Sequence, residues 1–312
     1  MKKILFASLI ALIISSGQIM ADNSNKLNET GVRLSGYCKA IASSSDGYTY
    51  VLMKDKRLIR IDIDGEQKEY IIPLDKEIKT QDDYFCDMAV DTKAAYFVGY
   101  NYSSIQVLDL NNPKELTTLP LSFENKPVKP MMITRISNGW CIKDFDFRTF
   151  LVDSKGNLSL LPQNSNINLD KDGKALMLSN PFLNKDGITE FPNKILYEDN
   201  SIKWDIPENE FDKPITNIEY LGYAVDQNND IYLIRTSKGE FNTELFIVAV
   251  NNKKEIISKK PIPTTNLDFM MSFCKLASDG SVIAAYGDPE TPDDIAIIKK
   301  FELKEKEPNK EG

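Results

Sequence analysis

Histidine is absent from the 312 residues. That excludes Ser-His-Asp and Cys-His nucleophile systems. It also restricts any zinc site to cysteine or carboxylate ligands, and no side chain titrates near neutrality at its unperturbed pKa. Cysteine is sparse, at Cys38, Cys86, Cys141 and Cys274, and never as CxxC, which excludes a thioredoxin-like redox motif or a zinc ribbon. Only six arginines occur (33, 57, 60, 135, 148 and 235), and nothing in the sequence groups three of them to bind a carboxylate. Positive charge is in deficit: 38 Lys+Arg against 46 Asp+Glu give a net −8. With no basic patch, nucleic acid is not an expected partner, because phosphate neutralisation supplies most of that affinity. An anionic membrane surface is excluded on the same ground. No stretch of 18 apolar residues occurs, so no segment is long enough to span a bilayer. What remains is 42% hydrophobic and 27% charged, a normal balance for a chain that buries a core.

The first residues read as an address. Met1-Lys2-Lys3 is basic, Ile4–Ile14 is apolar or small, and Ser15–Ala21 is a polar, small-residue tail. This is the order of a secretory signal peptide. Cleavage is expected after Ala21, which removes two lysines and no acid and leaves a net −10. The Lys-Lys opening and short leader point to a bacterial protein, periplasmic or secreted. Residues 22–30 and 304–312 are polar and charged, and both are expected to be disordered.

The rest of the chain consists of short β-branched and aromatic runs separated by Asp/Asn/Gly turns, an all-β pattern. Four stretches align. Tyr37–Ala42 leads through Ser43–Gly47 to Tyr48–Leu52, and Phe85–Asp91 leads through Thr92–Ala94 to Ala95–Val98. Leu221–Asp226 leads to Ile231–Ile234, and Phe273–Gly280 leads to Ser281–Tyr286. First strands recur near residues 38, 86, 133, 176, 221 and 275. Such spacing suits a four-stranded propeller blade of about 40–50 residues. The expected fold is therefore all-β, a single six-bladed β-propeller over residues 31–303. The third and fourth blades (131–162 and 174–207) rest on spacing more than on residues. The last blade lacks an outer strand after Phe301-Glu302-Leu303, so a segment near Gly31–Ser35 is expected to supply it and remove the exposed edge. Four cysteines allow three pairings, among which spacing does not choose, but the repeated aromatic-Cys pairs point to buried thiols over disulfides.

The Ala-x-Asp-turn-Tyr-apolar pattern resembles the six-bladed propellers of the NHL and TolB-like group, over most of the chain beyond the leader. The resemblance implies binding on one face, at the channel mouth. It covers binding proteins and enzymes alike, and it carries no catalytic residue onto a matched motif.

Candidate sites follow from the strand order, which puts the loops between second and third strands on the same face as the connections between blades. Among these loops, Tyr100-Asn101-Tyr102 and Asp144-Phe145-Asp146-Phe147 interleave aromatics with polar groups, a common recognition pattern. Lys39, Asp87 and Lys275 follow the aromatic-Cys pairs. They are expected near the channel, as an anion site or as an ion-pair set that fixes blade register. Asp288–Asp294 is carboxylate-rich but reads as a turn, and so does Asn168–Gly173, which mimics the start of an EF-hand loop without its closing Glu.

The expected function is a non-enzymatic binding module of the cell envelope whose partner is an envelope or extracellular protein, with no cofactor and no integral membrane segment. A small-molecule ligand is also compatible. The alternative resembles the lactonase-type six-bladed propellers, a hydrolase with acid and amide ligands around a divalent metal in the channel.

Overall fold

The computed structural model describes residues 27–303, apart from 163–164, 171–173, 179–181, 184–188, 191–193, 198, 208–209, 212–216, 227, 239–241, 267–268, 289 and 292. The leader and the 304–312 tail lie outside the described residues.

The architecture is a six-bladed β-propeller. The chain opens with β1 (Val32–Ser35). The first blade is β2 (Cys38–Ser43), β3 (Thr49–Met53), β4 (Arg57–Ile61) and β5 (Gln67–Ile71). The second is β6 (Asp87–Val90), β7 (Ala94–Val98), β8 (Ser104–Asp109) and β9 (Leu116–Pro120). A small hairpin, β10 (Ser122–Phe123) with β11 (Lys126–Pro127), leads to the third blade: β12 (Pro130–Ile136), β13 (Gly139–Asp144), β14 (Thr149–Asp153) and β15 (Leu158–Leu160). The fourth starts with β16 (Ser165–Leu169) and β17 (Ala175–Leu178). An inserted hairpin, β18 (Phe182–Leu183) with β19 (Thr189–Glu190), precedes β20 (Lys194–Tyr197) and β21 (Ile202–Asp205). The fifth is β22 (Asn217–Asp226), β23 (Asn229–Lys238), β24 (Asn242–Val250) and β25 (Ile256–Ile262). The sixth is β27 (Phe269–Leu276), β28 (Val282–Gly287) and β29 (Ile295–Phe301), with the short β26 (Thr265–Asn266) beside β27. Strands within each blade pair antiparallel in meander order. The first strands β2, β6, β12, β16, β22 and β27 pack one against the next around the centre.

Closure occurs where expected. β1 adds to the open edge of β29, with Val32 opposite Ile298 and Ser35 opposite Ile295. Val32 and Leu34 are buried while Arg33 and Ser35 face outward, the alternation of a strand with one face on a core. The order reaches further back than the sequence suggests: Leu27 is buried, and residues 27–30 form a turn in which Asn28 accepts the Thr30 amide at 2.7 Å.

Blade four departs from the sequence reading. Its first strand is Ser165–Leu169, and the strand near 176 is the second. The first strand is Ser-Asn-Ile-Asn-Leu, poor in the residues that usually mark strands, so the more apolar Ala175–Leu178 imitates a blade start.

The strands pack because both faces of each sheet meet a neighbouring sheet, as β3 illustrates: all five residues, Thr49–Met53, are buried. Tyr50 and Leu52 join Phe85, Met88 and Phe97 of blade two, while Val51 and Met53 join Ile283 and Ile298 of blade six. Fully burying such a side chain contributes about 1.5–3 kcal/mol.

One hairpin turn recurs through the molecule. At 44–48, 62–66, 144–148, 153–157, 197–201, 251–255 and 277–281, the first residue's amide bonds the fifth residue's carbonyl, and the fourth residue's amide bonds back to the first. The fourth residue is left-handed each time: Gly47, Gly65, Phe147, Gly156, Asn200, Lys254 and Gly280, with φ from 61° to 88°. This is a type I turn followed by a left-handed residue, a common short hairpin loop. Asp62, Asp144, Asp153 and Asn251 lead such turns and accept the third and fifth amides on one side-chain oxygen at 2.8–3.0 Å. Part of the chain's acidity is thus spent on closing hairpins.

Candidate functional site

The three charged residues that follow the aromatic-Cys pairs do not form one cluster. Lys275 of blade six donates to Asp87 Oδ1 of blade two at 2.6 Å and to the Met88 carbonyl at 2.8 Å. The pair passes over β2, which lies between β27 and β6 in the ring. The other carboxylate oxygen of Asp87 accepts the Ile133 amide of blade three at 2.9 Å. Asp87 is thus committed to its neighbours, and the register-fixing reading describes this pair.

Lys39 is separated from them. Cys38 pairs with Met53 and Ala40 with Leu52, so Lys39 is the extra residue of a β-bulge, a feature that re-aims a side chain. Lys39 instead lines a cleft of about 240 Å³ with Tyr37, Lys54, Ile78, Thr80, Gln81, Tyr84 and Asp293. It is buried, at 7% exposure, and no described residue accepts a hydrogen bond or salt bridge from its ammonium. Burial pulls its pKa below the usual lysine value, and the Lys54 ammonium adds to that, while the Asp82 carboxylate opposes it. Lys54 meets Asp293 at 3.4 Å on the rim.

The aromatic loops divide likewise. Tyr102 packs into the core against Phe85, the rings tilted by 41° with centroids 5.0 Å apart, with Lys76 over its ring at 4.9 Å. Asn101 donates to the Asp82 carbonyl at 2.6 Å, which ties this loop to the 3₁₀ turn Gln81–Asp83 beside the cleft. Tyr100 is 44% exposed and meets Phe145 of blade three as a T-shaped pair, centroids 4.9 Å apart at 85°. Phe147 is 70% exposed. Lys129 lies over Tyr100 at 5.1 Å and Lys143 over Phe147 at 5.9 Å. Asp144 is buried beneath this patch and binds Arg148 through both Nε and Nη2 at 2.9 and 2.7 Å. It builds the turn, and Asp146 joins Arg148 at 3.2 Å from an exposed position.

Phe147 breaks the rule of its turn. Six other examples place Gly, Asn or Lys at the left-handed position, whereas Phe147 adopts φ 61°. Left-handed geometry costs a residue with a Cβ about 1–2 kcal/mol, and a bulky residue there is an outlier. The fold gains nothing visible from this ring, which is mostly solvated.

Elsewhere charges lock blades together. Asp91 accepts from Tyr96 at 2.6 Å and pairs with Arg135 of blade three at 3.4 Å. Asp230 accepts from Tyr223 at 2.6 Å and pairs with Lys203 of blade four at 3.1 Å. Burial pushes both carboxyls up, but the tyrosine hydroxyls and neighbouring amides or cations outweigh it, and both sit below the usual carboxylate range. The four cysteines are free thiols, as the repeated context suggested. Burial raises Cys38, Cys86 and Cys141 to about 12 and Cys274 to about 11.

Among the described residues, no group of three or more His, Cys, Asp or Glu could hold a metal ion. Asp288 accepts the Glu290 and Thr291 amides at 2.8 and 3.0 Å, and so caps its own turn. Asp170 accepts the Lys174 amide at 2.8 Å and begins the first hairpin of blade four; 171–173 lie outside the described residues. No described helix is long and apolar enough to cross a membrane.

Tyr84 and Lys129 escaped the sequence reading. Both lie in connections between blades, where no repeated pattern singles them out.

No family model matches the chain, and no curated protein sequence matches it. Solved structures do. A member of the DUF4221 family from Bacteroides vulgatus is 10% identical over 91% of this chain and 100% of its own, with a TM-score of 0.51. A gluconolactonase from Xanthomonas campestris is 12% identical over 90% and 92%, with a TM-score of 0.48. The WD40 propeller domain of Doa1 is 10% identical over 89% and 97%, with a TM-score of 0.45. At 10% identity the DUF4221 likeness reaches the fold alone and assigns no activity.

Proposed function

We propose that this protein is an exported, non-enzymatic β-propeller that binds another protein of the cell envelope through the patch of Tyr100, Phe145 and Phe147. The observation that carries the reading is Phe147, an exposed aromatic ring held at a backbone position that the same turn elsewhere gives to Gly, Asn or Lys. Strain kept at an exposed side chain points to use of that side chain. Two residues back in the same turn, Phe145 forms a T-shaped pair with Tyr100, and Lys129 over Tyr100 and Lys143 over Phe147 add positive charge. Aromatic anchors with a polar rim are the usual energetic centre of a protein interface. Export rests on the leader-like order of residues 1–21.

The test is a crosslinking capture from the native envelope with wild type and Phe147→Asn in parallel. Asn accepts the left-handed geometry, so the variant keeps the turn and loses the ring. A stoichiometric partner recovered by wild type and lost by the variant supports the reading. Equal recovery by both proteins, or no partner in repeated captures, refutes it.

A further inference from the structure

We propose that the cleft between the first and second blades is an oxyanion site, in which Lys39 and Lys54 hold the carboxylate or phosphoryl head of a small organic ligand.

The carrying observation is Lys39, which lines the cleft at 7% exposure with no hydrogen bond or salt bridge to any described residue. A charge held largely out of water is costly unless it is paired, and the carboxylate of the neighbouring first strand, Asp87, is taken by Lys275 and the Ile133 amide. An incoming group with negative charge and several acceptor oxygens would supply the missing partner.

The remaining lining fits that assignment. Lys54 adds a second ammonium at the rim, where its 3.4 Å contact with Asp293 joins two exposed side chains and is easily exchanged. Gln81 and Thr80 bring amide and hydroxyl groups, while Tyr37 and Ile78 supply apolar wall. The volume, about 240 Å³, is below the ~300–1,000 Å³ of sites for drug-sized molecules, so the ligand is small. The site does not depend on the aromatic patch, and either assignment stands if the other fails.

The probes are inorganic phosphate and succinate at constant ionic strength, titrated into the purified protein and followed by calorimetry and thermal shift. Saturable binding of either probe is expected. Phosphate alone identifies a phosphoryl ligand, succinate alone a carboxylate, and both the shared oxyanion chemistry. Lys39→Met should weaken binding at least tenfold, Lys54→Met severalfold, and the exposed Lys114→Met not at all. Binding unchanged in Lys39→Met, or no saturable binding of either probe, would overturn the assignment. Should Lys39→Met fail to fold, Lys54→Met decides, with unchanged affinity refuting it.

Discussion

Replacing Asp87 by alanine tests whether a single carboxylate ties blades six, two and three together. The substitution removes the acceptor of the Ile133 amide, a hydrogen bond to a charged group worth about 1.5–3 kcal/mol. It also strips Lys275 of its 2.6 Å partner. The Lys275 side chain is 29% exposed and that of Asp87 11%. The pair therefore falls between surface pairs of about 0–1 kcal/mol and buried pairs whose breaking costs about 3–5 kcal/mol. Together these give a loss of about 3 kcal/mol, most of it from the orphaned amide and the half-stranded ammonium. At about 2–4 °C per kcal/mol for chains of this size class, the melting temperature should fall by about 6–12 °C. Asp87→Asn keeps an oxygen for the Ile133 amide and should lose about half as much. A double-mutant cycle with Lys275→Met should return a coupling of about 1 kcal/mol. Urea unfolding monitored by tryptophan fluorescence measures all four proteins, since Trp140 and Trp204 are both buried. An Asp87→Ala protein within about 1 kcal/mol of wild type, or a cycle with no coupling, would show that the blades hold register without this link.

Further outcomes follow from the same geometry. Phe147→Gly should leave stability unchanged or raise it by up to about 1 kcal/mol, because glycine relieves the left-handed strain while loosening the unfolded chain; a clear loss in chemical denaturation would mean that the ring has a packing role. Asp91, Asp230 and Asp279 all sit below the usual carboxylate range, since hydrogen bonds and cations outweigh the opposing effect of burial. Their contribution to stability is therefore present above the unfolded pKa of about 3.9 and lost as the pH falls through the lower folded values. Melting temperature should hold from neutral pH to about pH 5 and drop steeply below about pH 4. Cys38 and Cys141 are buried and Cys86 and Cys274 half-buried, so the first two should react with a thiol reagent only on unfolding and the other two slowly in the native protein, with no change in gel mobility on reduction; fast native-state labelling of Cys38 or Cys141 would contradict their burial.

The fold was largely readable because blade structure repeats. The aromatic-Cys starts and the Asp-Gly turns mark strands that must be apolar on both faces, and the missing outer strand after Leu303 implied closure by residues 31–35. Blade four was displaced by one strand because Asn166 and Asn168 stand where a β-branched residue would advertise a strand. The channel charges were legible as residue types and illegible as partners. Nothing in the spacing tells that Lys39 sits in a bulge and lines a cleft, or that Lys275 reaches past blade one to Asp87. Within the aromatic loops, sequence could not separate Tyr102, which caps the core, from Tyr100, which leaves it. Phe147 was recognised as an aromatic in a loop, but its significance lay in an alignment of turns: Asp144-x-x-Phe147 stands beside Asp62-x-x-Gly65 and Asp153-x-x-Gly156.

The strand that closes the ring sets an order of events for the chain. Among the described strands β1 is the first to be synthesised, yet its partner β29 is the last. Until Ile295–Ile298 emerge, Val32 and Leu34 have no sheet to bury them, and the edge that they will cover does not exist. Five blades can stack in sequence, but the ring cannot finish until the two ends meet, and such late, long-range pairing is slow. A ribosome stalled or a chain truncated before β29 would therefore leave an open stack with two bare edges. The complete protein should gain its resistance to proteolysis in one step, at the end.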